Sequence, residues 1–231
     1  MSGCVGIIVA LKEELLAVKE LINNCIEIKT SELIFYRGYI DSKEVILCES
    51  GVGKVNAARV TQCLIDYFKP VDYIFNIGVA GGIDDSLVIG DIVIGDKLIQ
   101  YDYDVTKLGG YEIGQLYEMD SKYFFSDKNL VDSALSIKSD YNLINGLIGS
   151  ADLFLSDVNK AKYLNVSEGI KCVEMEGAAV AQVSYLNKIP FLIIRGISDV
   201  QNNNNKIDFE SYLEVATKQV TDILKELLVK I

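Results

Sequence analysis

The chain has 231 residues, of which 50% are hydrophobic and 24% are charged, and its formal net charge is −11. No linker rich in Gly, Ser or Pro divides it, so we expect a single domain spanning residues 1–231. The acidic balance argues against a nucleic-acid partner, which would require a basic face. The absence of His and the lack of a CxxC pair argue against a zinc or copper site. We therefore expect no metal and no cofactor. Because the chain has no His, we expect carboxyl groups to carry out any acid–base catalysis.

The amino-terminal segment MSGCVGIIVALKEE lacks the basic start of a secretory signal. No apolar run in the chain approaches the roughly 20 residues of a membrane span. The five cysteines are odd in number and scattered, a pattern typical of reduced thiols in a cytosol. We therefore expect a cytoplasmic protein that has no membrane partner.

Apolar runs alternate with helical patterns along the whole chain. In chain order we predict strand 4–11, helix 13–22, strands 33–40 and 43–50, a Gly-rich turn and helix over 51–68, strands 72–82, 90–102, 146–155 and 169–176, helix 177–186, strand 190–200 and helix 209–230. The Asn-rich stretch 202–206 predicts a mobile loop. Strands that are apolar throughout favour a largely parallel central sheet covered on both faces. The predicted fold is a single-domain three-layer α/β/α sandwich.

Acidic residues interrupt apolar sequence near the ends of several predicted strands, where ligands collect in α/β sheets. Glu14 follows the first strand, Glu174 and Glu176 lie at the end of a later one, and Asp199 lies at the end of the last, which also contains Arg195. Ordinary structural roles are available: Glu14 suits the first turn of a helix, Asp199 suits a turn, and Arg195 suits a buried ion pair. Glu174 and Glu176 are harder to explain structurally, because the period of two in a strand points both to one side.

Two glycine-rich stretches add to this pattern. GVGK at 51–54 is not a phosphate-binding Walker A loop, and GVGKVN does not complete a dinucleotide-binding fingerprint. GVAGG at 78–82 predicts a turn that lets the backbone approach a flat or anionic ligand. Each signal is weak when it is taken alone.

Together, GIIVALKEE, ESGVGKVNAA, NIGVAGG, IGDIVIGDKL, VEMEGAAVA and IRGISDV resemble the purine and uridine phosphorylase superfamily in order and spacing. More narrowly, the chain resembles 5'-methylthioadenosine/S-adenosylhomocysteine nucleosidases from about residue 4 to the terminal helix. The resemblance implies a nucleoside phosphorylase-like fold with a mixed, largely parallel sheet. It also implies hydrolysis of the N-glycosidic bond of methylthioadenosine, adenosylhomocysteine and 5'-deoxyadenosine, which releases adenine.

The resemblance assigns a role to each matching position. Glu14 corresponds to the general base for water, Asp199 to the acid at adenine N7, and Glu176 to the acceptor of the ribose hydroxyls. Among the remaining positions, Met175 packs against the sugar, Phe154 and Leu155 contact the adenine, and Phe209 covers the 5' end. Arg195, Ala80 and Gly81 belong to the pocket for the water and the base, and Ser198 supports the catalytic aspartate. Val105 and Tyr111 lie in a loop that reaches the neighbouring subunit's pocket. A homodimer that binds a small adenine nucleoside is therefore expected.

These residue types suit cleavage of a glycosidic bond, in which carboxyl groups share the proton transfers. An acid kept protonated by burial can donate to the purine, and a carboxylate can accept a proton from water. One departure concerns Val79, where the family usually has Ser or Thr. A purine nucleoside phosphorylase, a nucleosidase for another adenine nucleoside such as aminodeoxyfutalosine, and a non-catalytic nucleoside-binding protein remain alternatives.

Overall fold

The computed structural model describes residues 3–30, 32–200 and 205–231, with side chains from residue 208 in the last of these ranges. In chain order the elements are β1 (Cys4–Val9), α1 (Lys12–Lys19), β2 (Asn23–Thr30), β3 (Leu33–Ile40), β4 (Lys43–Glu49), α2 (Lys54–Tyr67), β5 (Val71–Gly82), β6 (Ile92–Gln100), a 3₁₀ turn (Thr106–Leu108), β7 (Phe124–Phe125), α3 (Lys128–Leu135), β8 (Leu143–Ser150), α4 (Val158–Glu168), β9 (Ile170–Glu174), α5 (Gly177–Leu186), β10 (Phe191–Val200) and α6 (Asn205–Lys230).

All ten strands belong to one mixed sheet in the order β10-β6-β8-β9-β5-β1-β4-β3-β2, with β7 attached to β6. The central pairs are parallel, namely β1 with β4 and β5, β5 with β10, and β8 with β6 and β9. Antiparallel pairing joins β2, β3 and β4 at one side of the sheet. The predicted fold class is confirmed.

The sheet also curls, a feature that the sequence did not indicate. β10 pairs with β5 as well as with β6, and the end of β5 pairs with β9. The strands β5, β10, β6, β8 and β9 therefore form a closed ring. The curl brings the ends of β5, β8, β9 and β10 toward one another, which an open sheet would spread apart.

Helices cover both faces of the sheet because each presents an apolar stripe to it. On one face α1, α3 and α6 bury side chains such as Leu15, Leu130 and Leu224 in a common core. On the other face α2 and α5 bury Leu64 and Ala181 in a second core. α4 packs in a smaller cluster beside β9.

The predicted strands and helices correspond to observed elements within a few residues, whereas β2, β7, α3 and α4 were missed. The predicted loop 202–206 falls partly outside the described residues, and Asn205 and Lys206 belong to α6 instead. Within the described ranges, none of the helices combines the length and apolar character needed to cross a membrane.

Candidate active site

A cavity of about 300 Å³ opens at the carboxyl ends of β5, β9 and β10 and at the start of α1. Its volume suits a small molecule. It is lined by Ala10, Leu11, Glu14, Val52, Val79, Ala80, Gly81, Phe154, Val173, Glu174, Met175, Glu176, Ser198, Asp199 and Phe209. Predicted site residues from six separate parts of the chain therefore meet at one place.

Glu14 is buried at the first turn of α1, where its carboxylate accepts three backbone N–H groups. Oε2 accepts from Ala10 (2.8 Å) and Leu11 (3.0 Å), and Oε1 accepts from Val79 (3.1 Å). A Cβ on Gly78 would lie 2.5 Å from Oε1, so a side chain at this position would displace the Glu14 carboxylate. Burial raises the pKa of Glu14 against the opposing effects of Arg195 and the three amides. The result is a fixed and comparatively basic carboxylate.

Glu174 ends β9 and is saturated by protein donors. Its Oε2 accepts from Arg195 Nη2 (2.5 Å) and from the N–H groups of Glu176 (2.9 Å) and Gly177 (2.6 Å), and Ser150 Oγ donates to Oε1. The two amides lie at the start of α5, where a negative charge is favourable. Glu174 therefore ties two strands and a helix to the buried guanidinium.

Arg195 is 1% exposed and lies behind the cavity wall rather than in its lining. Besides Glu174 it donates to Asn76 Oδ1, and Asn76 Nδ2 in turn donates to the carbonyl of Ile8 (2.9 Å). Burial opposes the charge of Arg195, but Glu174, Glu176 and Glu14 raise its pKa. A buried positive charge thus faces three carboxylates.

Glu176 comes after β9 has ended and is the residue that immediately precedes α5. Its Oε1 accepts the N–H of Gly53 (2.8 Å). Among the described residues no other donor reaches this carboxylate, whose side chain lines the cavity. Burial, followed by the charge of Glu174, raises its pKa to about 7. Both residues border the cavity, but protein donors satisfy the Glu174 carboxylate whereas the Glu176 carboxylate accepts from Gly53 alone among the described residues.

Asp199 is 2% exposed near the end of β10, and Ser198 Oγ donates to its Oδ1 (2.9 Å). The pairing of β10 with β5 contains a bulge here, since Ile197 pairs with Ala80 and Asp199 pairs with Gly81. Ser198 is the additional residue. The bulge brings the Asp199 carboxylate against Gly81, where a Cβ would lie 3.1 Å from Oδ2.

Apolar side chains form the outer part of the cavity. The rings of Phe154 and Phe209 meet edge to face with centroids 6.0 Å apart. Phe154 is 50% exposed, and Leu155 lies behind it beside a smaller void of about 40 Å³. Met175 also borders the larger cavity. A flat, partly apolar ligand would fit between these side chains.

The family model of the phosphorylase superfamily matches residues 5–229. The chain belongs to this superfamily. It is 40% identical over 227 residues to the 5'-methylthioadenosine/S-adenosylhomocysteine nucleosidase of Staphylococcus carnosus, an alignment that covers 97% of this chain and 98% of that protein.

Two solved structures share the fold of this chain closely. The nucleosidase of the same name from Neisseria meningitidis, in complex with methylthio-immucillin-A, superposes with a TM-score of 0.94 at 31% identity over the whole of both chains. The futalosine hydrolase of Helicobacter pylori gives a TM-score of 0.93 at 27% identity over 99% of this chain and 98% of that one. The superfamily fold thus accompanies more than one named activity.

The structure of this superfamily member brings most of the predicted site residues to the cavity. Arg195 lies behind the wall, and in the described structure Val105 and Tyr111 do not border the cavity of their own chain. Asn76 and Ser150, which anchor Arg195 and Glu174, were not predicted. Asn76 did carry a signal, because it is the one amide in the apolar run YIFNIGV.

Proposed function

We propose that the protein hydrolyses the N-glycosidic bond of 5'-methylthioadenosine and S-adenosylhomocysteine, and also of 5'-deoxyadenosine, releasing adenine and the corresponding sugar. The observation that carries the proposal is the convergence of Glu14, Glu176 and Asp199 on one cavity of ligand size. The names of the similar proteins support the choice of substrate.

Each carboxyl group takes one part of the reaction. Asp199 donates a proton to N7 of the purine as the C1'–N9 bond breaks, and the bonding electrons leave with adenine. Glu14 accepts a proton from the water that attacks C1', a role supported by its raised pKa. Glu176 accepts hydrogen bonds from the ribose hydroxyls, and its negative charge favours the electron-poor sugar of the transition state.

The remaining cavity residues bind and orient the substrate. Phe154 stacks on adenine, with Leu155 beside its edge, and Met175 packs against the sugar. Phe209 covers the 5' substituent. The backbone of Ala80 and Gly81 approaches the base, Ser198 orients Asp199, and Arg195 acts from behind by keeping the wall carboxylates in place.

Water is a better nucleophile for this site than phosphate. Val79 lines the cavity where the family usually has a hydroxyl, and a valine side chain cannot donate a hydrogen bond to an anion. A buried phosphate with one donor missing loses about 1–3 kcal/mol. Water is small and neutral, so the loss affects hydrolysis less than phosphorolysis.

The protein works as a homodimer in which the loop around Val105 and Tyr111 completes the neighbouring cavity. Large apolar side chains in this loop are exposed, with Leu108 at 65% and Tyr117 at 56%. Exposed apolar surface of this kind marks an interface. Sedimentation should give a dimer, and a fully active monomer at nanomolar concentration would contradict the assignment. The five unpaired cysteines support a cytoplasmic location.

The deciding experiment measures free base and sugar product from methylthioadenosine, adenosylhomocysteine, 5'-deoxyadenosine, adenosine and inosine, with and without phosphate. We expect adenine and free 5-methylthioribose from methylthioadenosine, at a rate that does not depend on phosphate. A sugar 1-phosphate would identify a phosphorylase instead. An aminodeoxyfutalosine arm is included because the futalosine hydrolase shares the fold, and a strong preference for that substrate would replace the proposed one.

A further inference from the structure

Three polar residues beside the cavity form a closed cycle of hydrogen bonds, which we call the Lys54 ring. Lys54 Nζ donates to Asp102 Oδ1 (2.5 Å), the Asp152 N–H donates to Asp102 Oδ2 (2.9 Å), and the Lys54 N–H donates to Asp152 Oδ1 (2.8 Å). Each residue bonds to both of the others. The arrangement therefore fixes two backbone amides, those of Lys54 and Asp152, as well as the three side chains.

The ring joins three segments that are distant in sequence. Lys54 is the first residue of α2, Asp102 follows β6, and Asp152 follows β8. The side chains of Lys54 and Asp102 are only 15% and 22% exposed, and Lys54 Nζ also donates to Gln100 Oε1 (3.1 Å). A partly buried ion pair that makes several hydrogen bonds is stronger, and less screened by salt, than an exposed ion pair.

Gly53 connects the ring to the cavity. Its N–H donates to Glu176 Oε1, and its φ of +103° is a conformation that only glycine adopts without strain. Glycine is also the least restrained residue of a chain, so an amide at this position needs support from its neighbours. The support comes from Lys54, whose own N–H is held by Asp152, and a Cβ on Gly53 would lie 3.2 Å from the same Asp152 oxygen.

We propose that Lys54, Asp102 and Asp152 are positioning residues: the ring holds the Gly53 amide against Glu176 and so presets that carboxylate for the ribose hydroxyls. The inference rests on the proposed ribose role of Glu176. None of the three side chains lines the cavity, so they act through Gly53. An ion pair that merely joined α2 to the sheet would change stability without changing recognition of the sugar.

The test compares two uncleavable inhibitors, a C-nucleoside analogue of adenosine and its 2',3'-dideoxy form. Lys54→Met removes the ammonium group and keeps an apolar stem, and Asp102→Asn keeps the shape but leaves one acceptor oxygen where two are needed. We expect each variant to weaken the dihydroxy inhibitor at least about tenfold, the value of a hydrogen bond to a charged group. The dideoxy inhibitor should bind as it does to the natural protein.

The matched control is Lys128→Met, which breaks the exposed ion pair between Lys128 and Asp132 on α3, away from the cavity. It should leave both inhibition constants unchanged. Equal weakening of the two inhibitors by the ring variants, or no weakening of either, overturns the inference. If Lys54→Met fails to fold, Asp102→Asn decides the outcome.

A second readout is the pH dependence of kcat/KM. The Gly53 hydrogen bond lowers the pKa of Glu176, as Arg195 does, whereas burial, Glu174 and Glu14 raise it. Loosening the Gly53 amide should therefore move the acidic limb of the profile to higher pH in both ring variants and not in Lys128→Met. An unmoved limb contradicts the proposed link through Gly53.

Glu176→Ala separates this inference from the proposed function. If that variant loses the dihydroxy inhibitor selectively while the ring variants behave like the natural protein, only the positioning role fails. If Glu176→Ala weakens both inhibitors equally, the ribose role itself fails and the ring has no carboxylate to preset.

Discussion

The inner wall and the outer rim of the cavity reverse the usual distribution of residues. The wall is charged and buried, since Glu14, Glu174 and Glu176 are each less than 10% exposed, and the buried Arg195 lies behind them. The rim is apolar and open, with Val52 46% exposed and Phe154 50% exposed. Buried charges are costly unless every group is paired, and exposed apolar groups are costly unless something covers them. We infer that the charges of the wall are satisfied within the chain, whereas the apolar rim is left for a ligand to cover.

The largest effect should follow from breaking the wall. Glu174→Gln removes the charge that faces Arg195 and leaves the guanidinium buried without a full partner. We expect the free energy of unfolding to fall by about 3 kcal/mol or more, as for other broken buried pairs. Urea denaturation would measure the loss. Glu112→Gln is the control: the Glu112 side chain is 70% exposed, and Lys122, its partner, keeps its second ion pair with Glu168, so stability should change by less than about 1 kcal/mol.

Asp199→Asn tests whether the wall residue Asp199 donates a proton to the substrate. The amide keeps the shape of the side chain but cannot supply the same proton, so we expect kcat to fall at least about 100-fold, the lower range for general acid catalysis. Thermal unfolding should show an intact fold. Near-normal turnover by the folded variant would remove Asp199 from the mechanism.

Glu176 should make stability depend on pH. Its folded-state pKa of about 7 lies above the ordinary 4.5, so the folded protein holds an extra proton between these values. The contribution of Glu176 to stability is therefore lost as pH rises from about 4.5 to about 7. Glu176→Gln cannot titrate, and its free energy of unfolding should rise relative to the natural protein by on the order of 2 kcal/mol between pH 5 and pH 8. Parallel stability curves for the two proteins would contradict the raised pKa.

A rim substitution should give the opposite result from a wall substitution. Phe154→Ala removes a half-exposed ring, so stability should hardly change, while affinity for an adenine-containing inhibitor should fall about tenfold through lost stacking. Phe125→Ala, which removes another exposed ring in β7, should leave affinity intact. A large loss of stability in Phe154→Ala would mean that the rim is part of the core.

The smallest effect is expected at Val79. Val79→Ser places a hydroxyl at the cavity, where it can add one hydrogen bond to the attacking water. Because one hydrogen bond contributes little free energy, the hydrolytic rate should change by less than about tenfold. The reaction should stay independent of phosphate. Consumption of phosphate by the variant would show that this one side chain selects the nucleophile.

Much of the fold could be predicted because its strands are continuous apolar runs and its long helices carry apolar stripes. The missed helices are short, and each begins at an Asp cap, Asp127 or Asp157, whose carboxylate accepts two backbone N–H groups. An Asp in a polar stretch suits a loop equally well. Closure of the sheet could not be predicted, since it depends on contacts of β5 with β9 and β10 that leave no local pattern.

The acidic residues of the site could be predicted because they interrupt apolar sequence. The different environments of Glu174 and Glu176 could not be predicted. Glu174 and Glu176 were expected to face one way by strand alternation. The strand ends between them, and the donors that separate the two, Arg195, Ser150 and Gly53, come from three other parts of the chain. Long-range partners of this kind are fixed by the fold and have no signature in the neighbouring residues.

The bulge at Ser198 makes the site sensitive to the number of residues in β10 as well as to their identities. Side chains alternate between the faces of a strand, so removing one residue reverses the direction of every side chain that follows. Deleting Ser198 would remove the bulge in the pairing with β5 and change the direction of the Asp199 side chain, although Glu14, Glu176 and Asp199 would all still be encoded. We therefore expect the site to tolerate substitutions in β10 better than insertions or deletions.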